Sequence, residues 1–234
     1  MNLSTFIKSF IPHKTSAPFL EKVRSGLAGG IAILLLAWVL YALPQHSYQL
    51  LMLGSMAASA VLLFASPHSP FAQPWNLVGG HLVSALAGWV CIVLIPDPAI
   101  AAGVAVGIAI FLMHYLNCLH PPGAATALTL VLAGGQFHEM GWQWVAMIVI
   151  ANTFISLILA LLINNVLPGR RYPFQAAPMP PKLEPALIPE PADIEWALRQ
   201  MDSVIDVNPA DLAVIYAKAQ AHAKDRLDSQ LEKN

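Results

Sequence analysis

The chain has 234 residues, of which 57% are hydrophobic and 11% charged, and its formal net charge is −1. A soluble domain carries about 25% charged residues, so the composition argues against a soluble enzyme or binding module, and it provides no basic face for nucleic acid. All twelve Lys and Arg residues lie at or before Arg24 or at or after Arg170. Because ionisable groups are costly in a bilayer core, we predict an integral membrane protein.

Six apolar runs follow one another between the two charged ends. A helix needs about 20 residues, with a range of about 17 to 25, to cross the hydrocarbon. The second run is borderline, and the fifth is short enough for a half-helix or a re-entrant segment. The sequence therefore predicts an all-α, polytopic helical bundle with four to six spans. The runs are Gly26–Ala42, Tyr48–Ala65, Leu77–Ile95, Ala99–Leu116, Pro122–Gly134 and Trp142–Val166.

Lys and Arg flank the apolar region on both sides, so the positive-inside rule places both termini in the cytoplasm. With six crossings, the loops Ser66–Asn76 and Asn117–Pro121 share the cytoplasmic side. No organelle transit peptide is recognisable, and we expect a bacterial inner membrane. The predicted domains are a cytoplasmic segment over residues 1–24, a transmembrane domain over 25–167, a Pro-rich linker over 168–191 and a short cytoplasmic helical hairpin over 192–234.

Small residues recur at four-residue spacing within the runs. Such spacing lets helix backbones approach closely in lipid. We expect most of these faces to pack inside the molecule and some to join the subunits of a homo-oligomer. The residues are Gly26 with Gly30, Gly54 with Ala58, Gly80 with Ser84 and Gly88, and Gly103 with Gly107.

The segment from Asn117 to Ala127 carries the most informative pattern. It contains a histidine, two prolines and then small residues that begin an apolar run. The second proline can begin a helix, whose first-turn amides have no intrahelical partners and lie at the positive end of the helix dipole. The pattern therefore predicts an anion site without arginine. Its residues are His120, Pro121, Pro122, the amides of Gly123, Ala124 and Ala125, and the hydroxyl of Thr126.

Three further histidines accompany this segment. His68 lies near Ser66, before a predicted helix, whereas His81 and His114 lie inside apolar runs. A histidine that faces lipid is disfavoured, so His81 and His114 should point into the bundle, either as site residues or as partners of neighbouring helices. A histidine can accept or release a proton near neutral pH, which suits the passage of a weak-acid anion.

Other kinds of site are not predicted. The histidine spacings match no zinc pattern, and the chain has no phosphate-binding loop and no nucleophile motif. Cys91 and Cys118 lie in apolar or span-end contexts and are interpreted as packing residues. We therefore expect no cofactor, no metal and no enzymatic activity.

The run from His120 to Ala127 resembles the signature of the HPP family of integral membrane proteins. The resemblance extends upstream through Ala65–Pro70, Gln73, Pro74, Asn76 and the Gly79-Gly80-His81 tripeptide, and it covers the chain from about Arg24 to Val166. Members of this family have been linked to nitrite transport in chloroplasts and cyanobacteria, and they are usually described with about four spans. The resemblance thus implies a nitrite transporter or channel.

The leading hypothesis is passive or proton-linked passage of a small monovalent anion, with nitrite as the first candidate. The alternatives are a transporter of another small solute, or a membrane sensor or scaffold that acts through its cytoplasmic tail. The expected partners are the lipid bilayer, the anion and further copies of the chain, with no nucleic acid. The predicted substrate-binding residues are His120, Pro121, Pro122, Gly123, Ala124, Ala125, Thr126, Ser66, His68, His81 and His114.

Overall fold

The structure is a computed structural model that describes residues 18–43 and 52–174, together with Phe10, Leu212 and Tyr216. The chain divides into two units, of which one is Leu20–Met179 and the other comprises Met1–Phe19 and Pro180–Asn234. Nearly all described residues belong to the first. The predicted helical tail, apart from Leu212 and Tyr216, lies outside the described residues, and so does most of the predicted linker.

The described residues form a bundle of α-helices. Four of them have the length and hydropathy to cross a membrane, namely Phe19–Ala42, Pro74–Leu94, Pro98–Tyr115 and Trp142–Val166, and two short apolar helices, Ser55–Ala65 and Pro121–Leu132, accompany them. The six predicted runs correspond to these six helices in order, which confirms the helical membrane bundle. The elements are α1 (Phe19–Ala42), α2 (Ser55–Ala65), a 3-10 turn (Pro70–Ala72), α3 (Pro74–Leu94), α4 (Pro98–Tyr115), α5 (Pro121–Leu132), α6 (Gly134–Met140) and α7 (Trp142–Val166).

Local sequence signals explain the ends of α4. It begins with proline at its first position, where the missing N–H costs nothing. The carboxylate of Asp97 caps it by accepting hydrogen bonds from the amides of Ala99 and Ile100, both at 2.9 Å. At the other end Asn117 adopts a φ of 53°. The amide of Cys118 then donates to the carbonyl of Met113 at 2.9 Å, as in a Schellman motif.

Helix α3 packs against α4, α5 and α7, and its glycines bring it close to α5. A Cβ added at Gly80 would lie 2.5 Å from the Cβ of His120, and one at Gly88 would lie 2.8 Å from the carbonyl oxygen of Ala127. Glycine is needed here because a side chain would hold the two backbones apart. The predicted internal packing of this small-residue row is confirmed. A Cβ added to four other glycines would meet no atom within 4 Å: Gly26, Gly30, Gly103 and Gly107.

A buried arginine ties the end of α7 to α1. The guanidinium of Arg170 forms an ion pair with the carboxylate of Glu21, and it donates to the side chains of Ser25 at 2.9 Å and Asn164 at 3.2 Å. Its side chain is only 2% exposed. A buried charge without a partner is strongly destabilising, so this ion pair is needed to fix the chain where it leaves α7.

The residues after Arg170 cover the loop between α2 and α3. The hydroxyl of Tyr172 donates to the carbonyl of Ala72 at 2.8 Å, and the amide of Phe174 donates to the side chain of Gln73 at 2.9 Å. Residues 168–174, which the sequence analysis placed in a linker, therefore pack on the helical unit. α1 likewise begins at Phe19, seven residues before the predicted run from Gly26.

Candidate functional site

Five polar side chains meet inside the bundle and form what we call the buried polar cluster. Each of them is 3% exposed or less. Two come from α2, one from α3, one from the residue that precedes α5 and one from α5 itself. Because polar groups are rare in apolar helices unless they have a function, the cluster is the candidate site. It consists of Ser55, Ser59, His81, His120 and Thr126.

The five side chains are linked by an unbroken series of short contacts. The hydroxyl oxygen of Ser59 lies between the two histidines, 2.9 Å from Nε2 of His81 and 3.0 Å from Nε2 of His120. The other ring nitrogen of His81, Nδ1, lies 2.7 Å from the hydroxyl of Thr126. That hydroxyl lies 2.8 Å from the hydroxyl of Ser55. All of these are hydrogen-bond distances.

The loop before α3 provides the last partner of the cluster. Nδ1 of His120 lies 2.8 Å from the carbonyl oxygen of Phe71 in the 3-10 turn. The side-chain amide of Gln73 donates to the carbonyls of Pro67 at 3.0 Å and Ser69 at 2.9 Å, so it holds this loop in shape. The position of the Phe71 carbonyl is therefore fixed by the motif residues around it.

The loop before α5 is attached to the start of α3. The indole N–H of Trp75 donates to the carbonyl of Leu116 at 3.1 Å, and the side chain of Asn76 donates to the carbonyl of Leu119 at 2.9 Å. The two loops consequently lie on the same side of the bundle, as predicted for six crossings. Both bonds hold the chain immediately before His120.

The cluster contains no charged side chain. Its hydrogen-bond partners within the described residues are hydroxyls, imidazole nitrogens and backbone carbonyls. The two imidazole rings face each other edge-on with centroids 5.0 Å apart. Cys118, two residues before His120, packs against Gly79, and burial raises the pKa of its thiol. Among the described residues, no group of three His, Cys, Asp or Glu side chains is placed to hold a metal ion.

The prediction that the amides at the start of α5 are free is wrong for Gly123. Pro121 and Pro122 have no N–H, and the amide of Gly123 donates to the carbonyl of His120 at 2.7 Å. Ala125 stands four residues after Pro121, whose carbonyl accepts its amide in a regular helix. A Cβ at Gly123 would lie 2.7 Å from the carbonyl oxygen of Gly80, so this glycine serves helix packing.

The remaining predicted residues lie apart from the cluster. His114 was predicted to point into the bundle, and this is wrong: it is exposed in the last turn of α4, where the partial negative charge of the helix end suits a polar ring. Ser66 follows α2, and its amide donates to the carbonyl of Leu62 at 3.2 Å. His68 lies edge-on to the ring of Phe174, and burial, with a further effect of nearby Arg170, lowers its pKa.

Comparison with known proteins agrees with the resemblance. The family described as "HPP, transmembrane region" matches residues 14–173. The chain belongs to the HPP family. Two transmembrane proteins of Dictyostelium discoideum are similar to it: one is 40% identical over 153 residues, which are 64% of this chain and 49% of the relative, and the other is 38% identical over 161 residues, 67% and 56% respectively. The chain thus spans about half the length of these curated relatives. No solved structure matches it.

The HPP region includes every residue of the buried polar cluster. The sequence analysis found His81, His120 and Thr126, but it missed Ser55 and Ser59. One signal was available, because these two serines stand four residues apart in an apolar run and so share one face of a short helix. Polar residues on one face of a membrane helix indicate a function or a partner helix. The Phe71 carbonyl gave no signal in the sequence.

Proposed function

We propose that this HPP protein transports a small monovalent anion across the membrane, with nitrite as the first candidate, and that it does so without catalysing a reaction. The buried polar cluster supports the proposal. Removing an ion from water costs tens of kcal/mol in a medium of low dielectric, so a transport site needs hydrogen-bond donors at depth. The cluster offers hydroxyl and imidazole donors there.

Among the residues that the structure describes, no Lys or Arg hydrogen-bonds to the cluster, which favours weak binding of a single negative charge. In the proposal, the hydroxyls of Thr126 and Ser55 and the N–H groups of His81 and His120 replace the hydration of the anion. In the described closed conformation these donors bind one another and the Phe71 carbonyl, so the anion has to take the place of those partners when the cluster opens.

The burial of the cluster favours a carrier over an open pore. All five side chains are 0–3% exposed, so the described conformation is closed around them. The two short helices and the residue before α5 contribute four of the five side chains. Transport sites are commonly built from interrupted or short helices near the middle of the membrane. We propose that movement of α2 and α5 opens the cluster to each side in turn.

Nitrite uptake into proteoliposomes that hold the purified full chain tests the proposal. Thr126→Val keeps the shape of the side chain but removes a hydroxyl that contacts His81 and Ser55. Thr129→Val is the matched control on the same helix, because the Thr129 hydroxyl donates to the carbonyl of Ala125. We expect Thr126→Val to lower uptake about tenfold, the equivalent of about 1.4 kcal/mol, and Thr129→Val to change it less than about twofold.

The outcomes separate the alternatives. Competition by nitrate, formate or chloride that is stronger than self-competition by nitrite would assign another small anion to the site. A folded wild-type protein that moves none of these anions would overturn the transport proposal. Equal losses in the two threonine variants would show that the cluster has no special role.

Orientation, membrane and assembly belong to the same proposal. We propose that both termini face the cytoplasm, because Lys and Arg lie at both ends of the apolar region; accessibility of cysteines introduced at residues 10 and 171 would test it. The bacterial inner membrane stays a prediction, and the Dictyostelium discoideum relatives lend it no support. Association into a homo-oligomer also stays a prediction.

A further inference from the structure

When both histidines are neutral and every contact of the buried polar cluster is a hydrogen bond, these bonds can run in one direction only. The carbonyl of Phe71 can only accept, so Nδ1 of His120 carries the proton of that bond. A neutral His120 then has a bare Nε2, which accepts from the hydroxyl of Ser59 at 3.0 Å. Since that hydroxyl has one proton, its oxygen must accept from the Nε2–H of His81 at 2.9 Å.

The same reasoning fixes the rest of the series. With its proton on Nε2, a neutral His81 has a bare Nδ1 that accepts from the hydroxyl of Thr126 at 2.7 Å. The oxygen of Thr126 in turn accepts from the hydroxyl of Ser55 at 2.8 Å. All five donors therefore point the same way, from Ser55 towards Phe71. The two histidines are consequently held in opposite tautomers.

Ser59 also has a second acceptor. Its hydroxyl lies 3.2 Å from the backbone carbonyl of Ser55, one turn earlier in α2. When His120 carries a proton on both ring nitrogens, its Nε2–H donates to Ser59, and the Ser59 hydroxyl turns to this carbonyl. The cluster can therefore provide hydrogen-bond partners for both the neutral and the cationic form of His120 while only hydrogen atoms move.

We propose that the series Ser55–Thr126–His81–Ser59–His120 is a proton wire, with His120 as the proton-loading group, and that the anion crosses together with a proton. This inference rests on the proposed transport function. A proton from water is taken up at the Ser55 oxygen, and at each following bond the donor loses its proton as the next atom gains one. His120 gains a proton at Nε2, and it releases the one on Nδ1 to water or to the anion when the bond to Phe71 opens. No electrons move.

The titratable groups of the wire are the imidazole rings of His81 and His120. Ser55 and Ser59 face it from α2, Ser84 lies on the same buried side of α3, and Thr126 faces it from α5. From α7, Asn152 accepts a hydrogen bond from the amide of Leu53, next to Ser55. Within the described residues, no acidic or basic side chain hydrogen-bonds to the wire.

Ser59→Ala is the decisive variant, because the hydroxyl of Ser59 is what joins the two rings. It removes one oxygen and keeps both histidines. Ser84→Ala is the matched control, since Ser84 is also fully buried but its hydroxyl points to the sulfur of Met113 at 3.8 Å. The full chain is reconstituted in vesicles with an entrapped pH-sensitive dye, a nitrite gradient and a clamped membrane potential. Proton and nitrite movement are measured together, and the leak of protein-free vesicles is subtracted.

We expect wild type and Ser84→Ala to move protons with nitrite, and Ser59→Ala to lose at least about 90% of the nitrite-driven proton movement, which corresponds to a tenfold change. A Ser59→Ala protein that moves protons as wild type does would overturn the wire. If Ser59→Ala moves neither nitrite nor protons, the wire is supported only if nitrite still raises the unfolding temperature of the variant. A ligand that binds the folded protein raises that temperature, so the rise shows that the anion still binds. Loss of that binding as well would overturn it, because Ser59 would then be a ligand of the anion.

Two results keep this inference separate from the proposed function. Wild-type protein that moves nitrite without protons overturns the wire and leaves transport standing. Wild-type protein that moves no anion overturns the proposed function itself. If Ser59→Ala does not fold, Thr126→Val breaks the wire at Nδ1 of His81, with Thr129→Val as its control. Because Thr126 is also a proposed ligand of the anion, the readout for this variant is the number of protons moved per nitrite. That number falls if the wire is broken and stays as in wild type if Thr126 only binds the anion, which would overturn the wire.

Discussion

Replacing Gly123 by alanine tests whether the close contact between α3 and α5 holds the buried polar cluster together. A Cβ at this position would lie 2.7 Å from the carbonyl oxygen of Gly80 and 2.8 Å from its carbonyl carbon. Both atoms belong to the backbone, so no side chain can turn away to relieve the contact. The two helices must therefore move apart.

The size of the effect follows from these distances. Ordinary contacts begin at 3.4 Å, so α3 and α5 must separate by about 0.7 Å, since well-packed interiors have no spare room. The bond between His81 and Thr126, now 2.7 Å, would lengthen to about 3.4 Å and be lost. Overpacking costs about 1–3 kcal/mol and a lost hydrogen bond about 0.5–1.5 kcal/mol. We expect Gly123→Ala to lose about 2–4 kcal/mol of stability and most of the nitrite uptake.

Thermal unfolding in detergent and nitrite uptake in vesicles measure the two effects. Gly107→Ala on α4 is the matched control, because a Cβ there meets no atom within 4 Å. Alanine is favoured over glycine within a helix by about 1 kcal/mol, so this variant should be at least as stable as wild type. Wild-type stability and uptake in Gly123→Ala would refute the packing argument. Equal losses in both variants would show that any substitution of glycine in these helices is harmful.

Three further predictions concern charge and protonation. Glu21→Gln leaves the buried guanidinium of Arg170 without its counter-ion and should lower stability by about 2–4 kcal/mol. Lys22→Gln, at an exposed position, should leave stability unchanged. Equal unfolding temperatures of the two variants would contradict this prediction. Because burial lowers the pKa of His68 below 6.5, the unfolded chain binds more protons there, and stability should fall as the pH drops below about 6.5. His68→Gln should make stability fall less steeply with pH. The same slope of stability against pH in this variant and in wild type, over about pH 8 to 5, would be evidence against a role of His68. Nitrogen-15 NMR at neutral pH should show His81 protonated on Nε2 and His120 on Nδ1; the same tautomer in both rings would contradict the direction of the wire.

Much of the fold could be predicted because membrane helices follow from local composition. Each apolar run has to satisfy its own backbone in lipid, and only a helix does this within one segment. Proline marks the first position of α3, α4 and α5, so the breaks were visible as well. The short second and fifth runs correctly indicated the two short helices.

The candidate site could be predicted only in part. His120 and Thr126 were visible because they surround an unusual pair of prolines, and His81 because it is polar within an apolar run. Ser59 was missed, because its one signal, the spacing of four residues from Ser55, does not show which side chains it meets in the bundle. Its contacts with His81 and His120 join positions 22 and 61 residues apart in the chain.

The sequence by itself determined that the chain is a helical membrane protein, where its helices lie and which family motif it carries, since each of these depends on neighbouring residues. Only the tertiary structure decided that Ser59 contacts both His81 and His120, that His114 faces outwards and that Arg170 pairs with Glu21 across 149 residues. The physical reason is the same in all three cases. Whether a polar group is free, exposed or paired depends on which helices pack beside it, and the close approach of α3 and α5 at their glycines is a property of the assembled bundle.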